Sequence, residues 1–195
     1  MQALLHHLNQ IHRLSPKSEQ ALLAISRIQE VQKNQDLHPI GHTCRNIYFV
    51  EEGLLRVYYI KDGRDITESF DAEYSLVARA DSLFDAKPSK KGIQAIENTK
   101  LAAINSAKLF ALYDEYPDIE RLFRKIYEQA YVRTVERIEH IQFYTAEERY
   151  RKIMDTSSEL LLRIPLKYVA SYLGISQVSL SRIRSKVADH VGPKR

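Results

Sequence analysis

The chain of 195 residues is poor in the residues that staple, chelate or cradle. Its one cysteine, Cys44, can form no intrachain disulfide and leaves a cysteine-ligated iron–sulfur cluster without its ligands. The six glycines are scattered, mostly at turns, and build no phosphate-binding loop. A nucleophile elbow and metalloprotease spacing are absent too, so the sequence argues against an enzyme. No stretch approaches the about 18 apolar residues that span a bilayer, and Met1-Gln-Ala-Leu-Leu-His-His carries no basic leader. A cytoplasmic protein with no membrane association is the expectation. What is present, 44% hydrophobic residues, suffices to bury a core in one large or two small domains.

The richest stretch is Leu166-Lys-Tyr-Val-Ala-Ser-Tyr-Leu-Gly-Ile-Ser-Gln-Val-Ser-Leu-Ser-Arg-Ile183, which reads as two short helices joined by a tight turn. Helices that cross steeply need a small residue where their backbones approach and a glycine where the chain turns through positive φ. Ala170 and Gly174 stand at those places. Val169, Leu173, Ile175, Leu180 and Ile183 supply the apolar inner face at three- and four-residue steps. Ser176 is placed to cap the second helix, which turns Gln177, Ser179, Ser181 and Arg182 outward. These side chains suit base edges and phosphates. An ordinary helical hairpin packed on its own domain is the plainer alternative, and charge separates the two. From Arg163 to Arg195 there are seven basic residues and one acidic, a net of +6, so the other residues of a +4 chain carry −2. A basic segment on a mildly acidic body is the electrostatic footprint of phosphate binding.

Ahead of that window, Leu4, Leu5, Leu8 and Ile11 predict one helix, and Ser15-Pro16 opens a second that carries Ala21, Leu22, Ile25 and Ile28. From Ile47 the texture becomes β-branched and aromatic, with Asp62-Gly63 a hairpin turn between Leu54–Ile60 and Ile66–Phe70 and further apolar runs at Gln94–Ile96 and Leu101–Ile104. Several short antiparallel strands without helical crossovers fit a β-roll. A long helix is expected from Asp118 to about Tyr144, with Ile119, Leu122, Phe123, Ile126, Ala130, Thr134, Ile138 and Ile141 along one side. That stripe outlasts a small sheet, which points to pairing with a second copy. A further helix, Ala146 to about Leu162, leads through Pro165 into the opening window.

This order of elements resembles the cyclic-AMP receptor protein / FNR (Crp/Fnr) superfamily of bacterial transcription regulators over nearly the full length. "IYFVEEGLLRVYYIKDGRDIT" is similar to that family's sensor hairpins, and "TAEERY…RIPLKYVASYLGISQVSLSRIRSK" to its DNA-binding region. The resemblance implies an α+β chain: a cyclic-nucleotide-binding-like β-roll (a double-stranded β-helix) with flanking helices in residues 1–116, a dimerisation helix in 117–145, and a helix-turn-helix in 146–195. It implies a homodimer on double-stranded DNA, with RNA polymerase as a further partner and no cofactor. Ser176, Gln177, Ser179, Ser181, Arg182 and Lys186 would face DNA. Arg182 falls where the family carries a base-reading arginine, suited to guanine O6 and N7 at about 1–3 kcal/mol of discrimination. Val178 stands where the cyclic-AMP receptor protein has a glutamate, so a different target sequence is expected. The chain runs only to Val191-Gly-Pro-Lys-Arg195 after the recognition helix, so little or no β-hairpin wing is expected.

In the sensor the pattern departs from the family. Ala78-Arg79 replaces the Gly-Glu pair that takes a ribose hydroxyl, and no arginine stands at the phosphate place, so no response to cyclic AMP is expected. Arg79, Lys90 and Lys91 are the candidates for some other anionic effector, if the protein has one, with a solvated basic loop as the alternative for the two lysines. His38, His42 and Cys44 lie close in sequence but match no closed zinc or haem site, and ordinary loop residues account for them. A ligand- or partner-sensing module with a vestigial DNA-binding domain is the rival reading of the whole.

Overall fold

The computed structural model describes residues 1–190, with side chains through Val187. Val191-Gly-Pro-Lys-Arg195, on which the expectation of a missing wing rests, lies outside the described residues. The chain forms two compact units, Met1–Tyr59 with Ser69–Val132, and Ile60–Glu68 with Arg133–Arg195.

The first unit opens with α1 (Gln2–Ile11), which buries Leu4 and Leu8, and α2 (Pro16–Ala24), which buries Leu22. Ser15 caps α2 by accepting from the Ser18 amide, as the Ser-Pro pair predicts. The helix stops earlier than its apolar spacing suggests. Ile25 is its C-cap, and Ile28 belongs to a strand, β1 (Ser26–Val31), where it is 41% exposed. The ladder decides against the helix: all six residues of β1 pair antiparallel with the strand Thr99–Asn105, from Ser26 opposite Ile104 to Val31 opposite Thr99.

The strands that follow are β2 (Asp36–His38), β3 (Asn46–Glu52), β4 (Leu55–Lys61), β5 (Arg64–Asp71), β6 (Leu76–Val77), β7 (Gly92–Ala95) and β8 (Thr99–Asn105). They form two four-stranded sheets, ordered β1-β8-β3-β6 and β2-β7-β4-β5. This is the expected β-roll. Its core holds Ile47, Phe49, Leu55, Ile93, Leu101 and Ile104, all buried. On β3 and β8 large faces small: Tyr48 pairs with Ala103 and Phe49 with Ala102, so the aromatic rings find room without forcing the ladder apart. Between β6 and β7 sits α3 (Ala80–Asp85), and after β8 comes α4 (Ser106–Leu112).

The long helix α5 spans Pro117–Phe143. Its first turns bury Ile119, Leu122 and Phe123 in the core of the first unit. Asp118 fixes its start, accepting from the Ser15 amide at 2.8 Å and the Ser18 hydroxyl at 2.6 Å. Burial alone would raise the Asp118 carboxyl, but the bonds from Ser18, Ser15 and Ile119 outweigh it and hold the group below its ordinary value. From Tyr131 onward the apolar residues stand in solvent, with Ile138 50%, Ile141 54% and Phe143 72% exposed.

In the second unit α6 (Ala146–Arg163) starts with a complete capping box, the Thr145 side chain accepting from the Glu148 amide and Glu148 returning to the Thr145 amide. It breaks at Ser157, whose φ of −156° and ψ of 46° are not helical. The helices α7 (Leu166–Leu173) and α8 (Gln177–His190) follow. Pro165 is the N-cap of α7. The tip of the β4–β5 hairpin, residues 60–68, belongs to this unit as well. Asp62 and Gly63 turn it with φ of 50° and 71°, the left-handed pair that a two-residue hairpin needs.

Candidate nucleic-acid interface

Between α7 and α8 the chain reverses through Gly174, at φ 71°. A Cβ there would meet nothing within 4 Å, so glycine is required by the backbone angle and not by crowding. The turn is closed by the Ile175 amide, which donates to Ala170 O at 3.0 Å, and Ala170 itself is 2% exposed. Val169, Leu173, Leu180 and Val187 complete the buried seam, while Ile175 and Ile183 are half-buried. Arg149 of α6 braces the end of α7 by donating to Leu173 O at 2.8 Å. A second brace comes from the hairpin tip: the Ser171 hydroxyl accepts from the Thr67 amide at 2.8 Å and donates to Asp65 O at 3.1 Å. These bonds fix the pose of α7, and α7 in turn positions α8.

Ser176 caps α8, its Oγ accepting from the Ser179 amide at 3.1 Å. The two hydroxyls, Ser176 and Ser179, also bond each other at 2.9 Å, so Ser179 is half-buried and occupied in the cap. With Leu180 and Val187 turned inward, the helical period puts Val178, Arg182 and Ser185 on the opposite side, with Ser181 on its flank. Gln177, Ser181 and Arg182 are exposed, and among the described residues no side chain holds Arg182. Lys186 is different. Its Nζ lies 3.4 Å from Glu147, whose carboxyl is held below its ordinary value first by Arg151 at 2.9 Å and then by Lys186. The six residues read from the sequence therefore divide into a cap pair, an exposed set of three, and a lysine tied to an acidic neighbour 39 residues away.

The profile of the cyclic nucleotide-binding domain family matches residues 28–116, most of the β-roll. Among solved structures, FixK2 from Bradyrhizobium japonicum is 17% identical with a TM-score of 0.72, covering 88% of this chain and 89% of that one. The c-di-GMP-responsive global regulator CLP of Xanthomonas campestris is 20% identical, with a TM-score of 0.71 over 93% of this chain and 96% of its own. A protein of Eubacterium rectale assigned to the crp/fnr family of transcriptional regulators is 17% identical, with a TM-score of 0.70 over 91% and 85%. No curated protein sequence matches. The fold is of the Crp/Fnr type.

Within this Crp/Fnr-type fold, the three sensor candidates meet different partners. Arg79 stands at the N-cap position of α3 without a side-chain capping bond, and its guanidinium donates to Asp81 at 3.2 Å. Lys91 is half-buried with its Nζ 6.0 Å from the centre of the Tyr59 ring, and Lys90 is exposed. His38, read from the sequence as an ordinary loop residue, instead ends strand β2, where it is 4% exposed with an Nε2 that finds no hydrogen bond. Burial first, then the charges of His42 and Arg79, lower its pKa, so the ring is neutral at pH 7. His42 lies in the turn after β2, and Cys44 is buried, its thiol directed at Asn46 O at 3.3 Å. Among the described residues no group of three His, Cys, Asp or Glu side chains could hold a metal ion, and no helix is long and apolar enough to cross a membrane.

Proposed function

We propose that the protein is a sequence-specific, DNA-binding transcription regulator that acts as a homodimer and does not respond to cyclic AMP. One observation carries the reading: α8 is held by Gly174, the Ser176 cap and a buried apolar seam, while Gln177, Ser181 and Arg182 stand exposed on it. A helix so presented fits a major groove, where the Arg182 guanidinium can bond a guanine O6 and N7 together. The exposed second half of α5 supports pairing of two copies, since a lone helix would leave Ile138, Ile141 and Phe143 in water. The relatives' names support regulation, and one of them is responsive to c-di-GMP; an effector here, if there is one, is an anion other than cyclic AMP. RNA polymerase is the partner that activation would require, and the cytoplasm is where these partners meet.

Selection of bound sequences from random double-stranded DNA by the purified protein tests this. A two-fold site with half-sites about one helical turn apart is the expected result. Retention on DNA that is absent, or that neither salt nor the pair Arg182→Ala with Lys186→Ala reduces, would replace this reading with a sensing module whose DNA-binding domain is vestigial. Calorimetry with cyclic AMP is expected to show no binding, and micromolar affinity would refute that part.

A further inference from the structure

The helical unit holds a groove of about 760 Å³ that shares only Ser181 with the surface proposed to read DNA. Its lining takes residues of α6 from both sides of the break at Ser157, and Leu162, 88% exposed, and Leu166, 44% exposed, stand on the same groove as Met154. Isolated exposed leucines need no explanation, but three long apolar side chains on one concave surface of this size make a small-molecule site in the ordinary range. The opposite wall is polar and basic, formed by Ser181, Arg184 and Ser185 of α8. Arg184 is exposed, and among the described residues no carboxylate neutralises it.

We infer that this groove binds an amphipathic anion, an acyl chain ending in a carboxylate. The chain would lie along Met154, Leu162 and Leu166, and the carboxylate would take the Arg184 fork with the serine hydroxyls beside it. Charge complementarity selects this occupant: an uncharged chain would leave the guanidinium unmatched, and a cationic one would be repelled. Because one wall of the groove is the helix that carries Arg182, the bound carboxylate sets a negative charge next to the surface proposed for phosphates. Ligand and DNA therefore oppose each other, by the same factor in both directions. Binding of the acyl chain does not depend on the DNA reading, and only this last consequence does.

The chain contains no tryptophan, so Leu162→Trp installs a single reporter at an exposed place on the groove. Titration of that variant with dodecanoate below its micelle threshold should give a saturable blue shift, and dodecyltrimethylammonium should give none. With Arg184→Gln added, the dodecanoate affinity should fall about tenfold while that of dodecanol stays unchanged. Calorimetry on the chain without the reporter should reproduce both affinities. The inference is overturned by an equal response to all three amphiphiles, by no saturable response, or by insensitivity to Arg184→Gln. It is overturned too if the emission of the free protein is already blue-shifted, which at all concentrations means the chain covers its own groove and with rising concentration means a second copy does. Dodecanoate is measured first with no DNA present, so failure to bind DNA and failure to bind the acyl chain are told apart.

Discussion

Two halves of one helix carry the same kind of side chain and meet opposite surroundings. In the first turns of α5, Ile119, Leu122 and Phe123 are fully buried; in the last turns, Ile138, Ile141 and Phe143 are half exposed or more. The apolar stripe weakens around Arg133 to Arg137, and only its first part finds a buried place within the chain. Apolar periodicity thus states that a face will be covered without stating by what, and the covering partner changes partway along the helix. Phe123 belongs to the fold of one chain, and Ile141, on the same face, is available to a second.

This contrast can be broken most severely at Phe123. Replacement by Ala should cost about 3–5 kcal/mol in denaturant unfolding of the whole chain, whereas Phe143→Ala should change single-chain stability by less than about 0.5 kcal/mol. Equal losses would mean that the exposed half is covered within the chain after all. The pair Ile138→Asp with Ile141→Asp comes next: sedimentation should show a monomer with unchanged helix content, and a dimer that persists would move the interface elsewhere. At the reading head, Arg182→Ala should relax discrimination at one base pair by about 1–3 kcal/mol. Lys186→Ala should lower the salt slope by about one at most, because Glu147 already holds that ammonium.

The smallest effect is a pH dependence at His38. Its folded pKa lies below 6.5, so between the two values the unfolded chain binds the proton more readily and stability rises with pH. Stability should therefore decline as pH drops below 6.5 and level off beneath the folded pKa, while His38→Asn should flatten that limb. An unchanged acid limb in the variant would assign it to other groups.

What could be read from the sequence was what is decided by neighbours a few residues apart. Ser15-Pro16, Asp62-Gly63, Thr145 with Glu148, and Gly174 with Ser176 all do their work within one turn, and each stands where its chemistry requires. The misplaced end of α2 has the opposite origin. Ile25 and Ile28 keep a helical step of three, but the ladder offered by β8, some seventy residues on, outweighs it. Strands β2 and β6, of three and two residues, are too short for any period to show. At the candidate interface Arg182 was legible from the face it shares, whereas the pairing of Lys186 with Glu147 and the hydroxyl bond that occupies Ser179 depend on the folded arrangement. The break at Ser157 has neither glycine nor proline to announce it.

The nine residues at the hairpin tip, numbered 60–68, are encoded in the middle of the roll and fold with the C-terminal helices, where Asp65 and Thr67 grip Ser171. Such a unit has no single seam in the gene. A fragment cut at residue 146 would lack a strap that α7 uses, and a chimaera that borrows the C-terminal helices must import a second, distant piece of sequence along with them. Recombination at one point would separate the two.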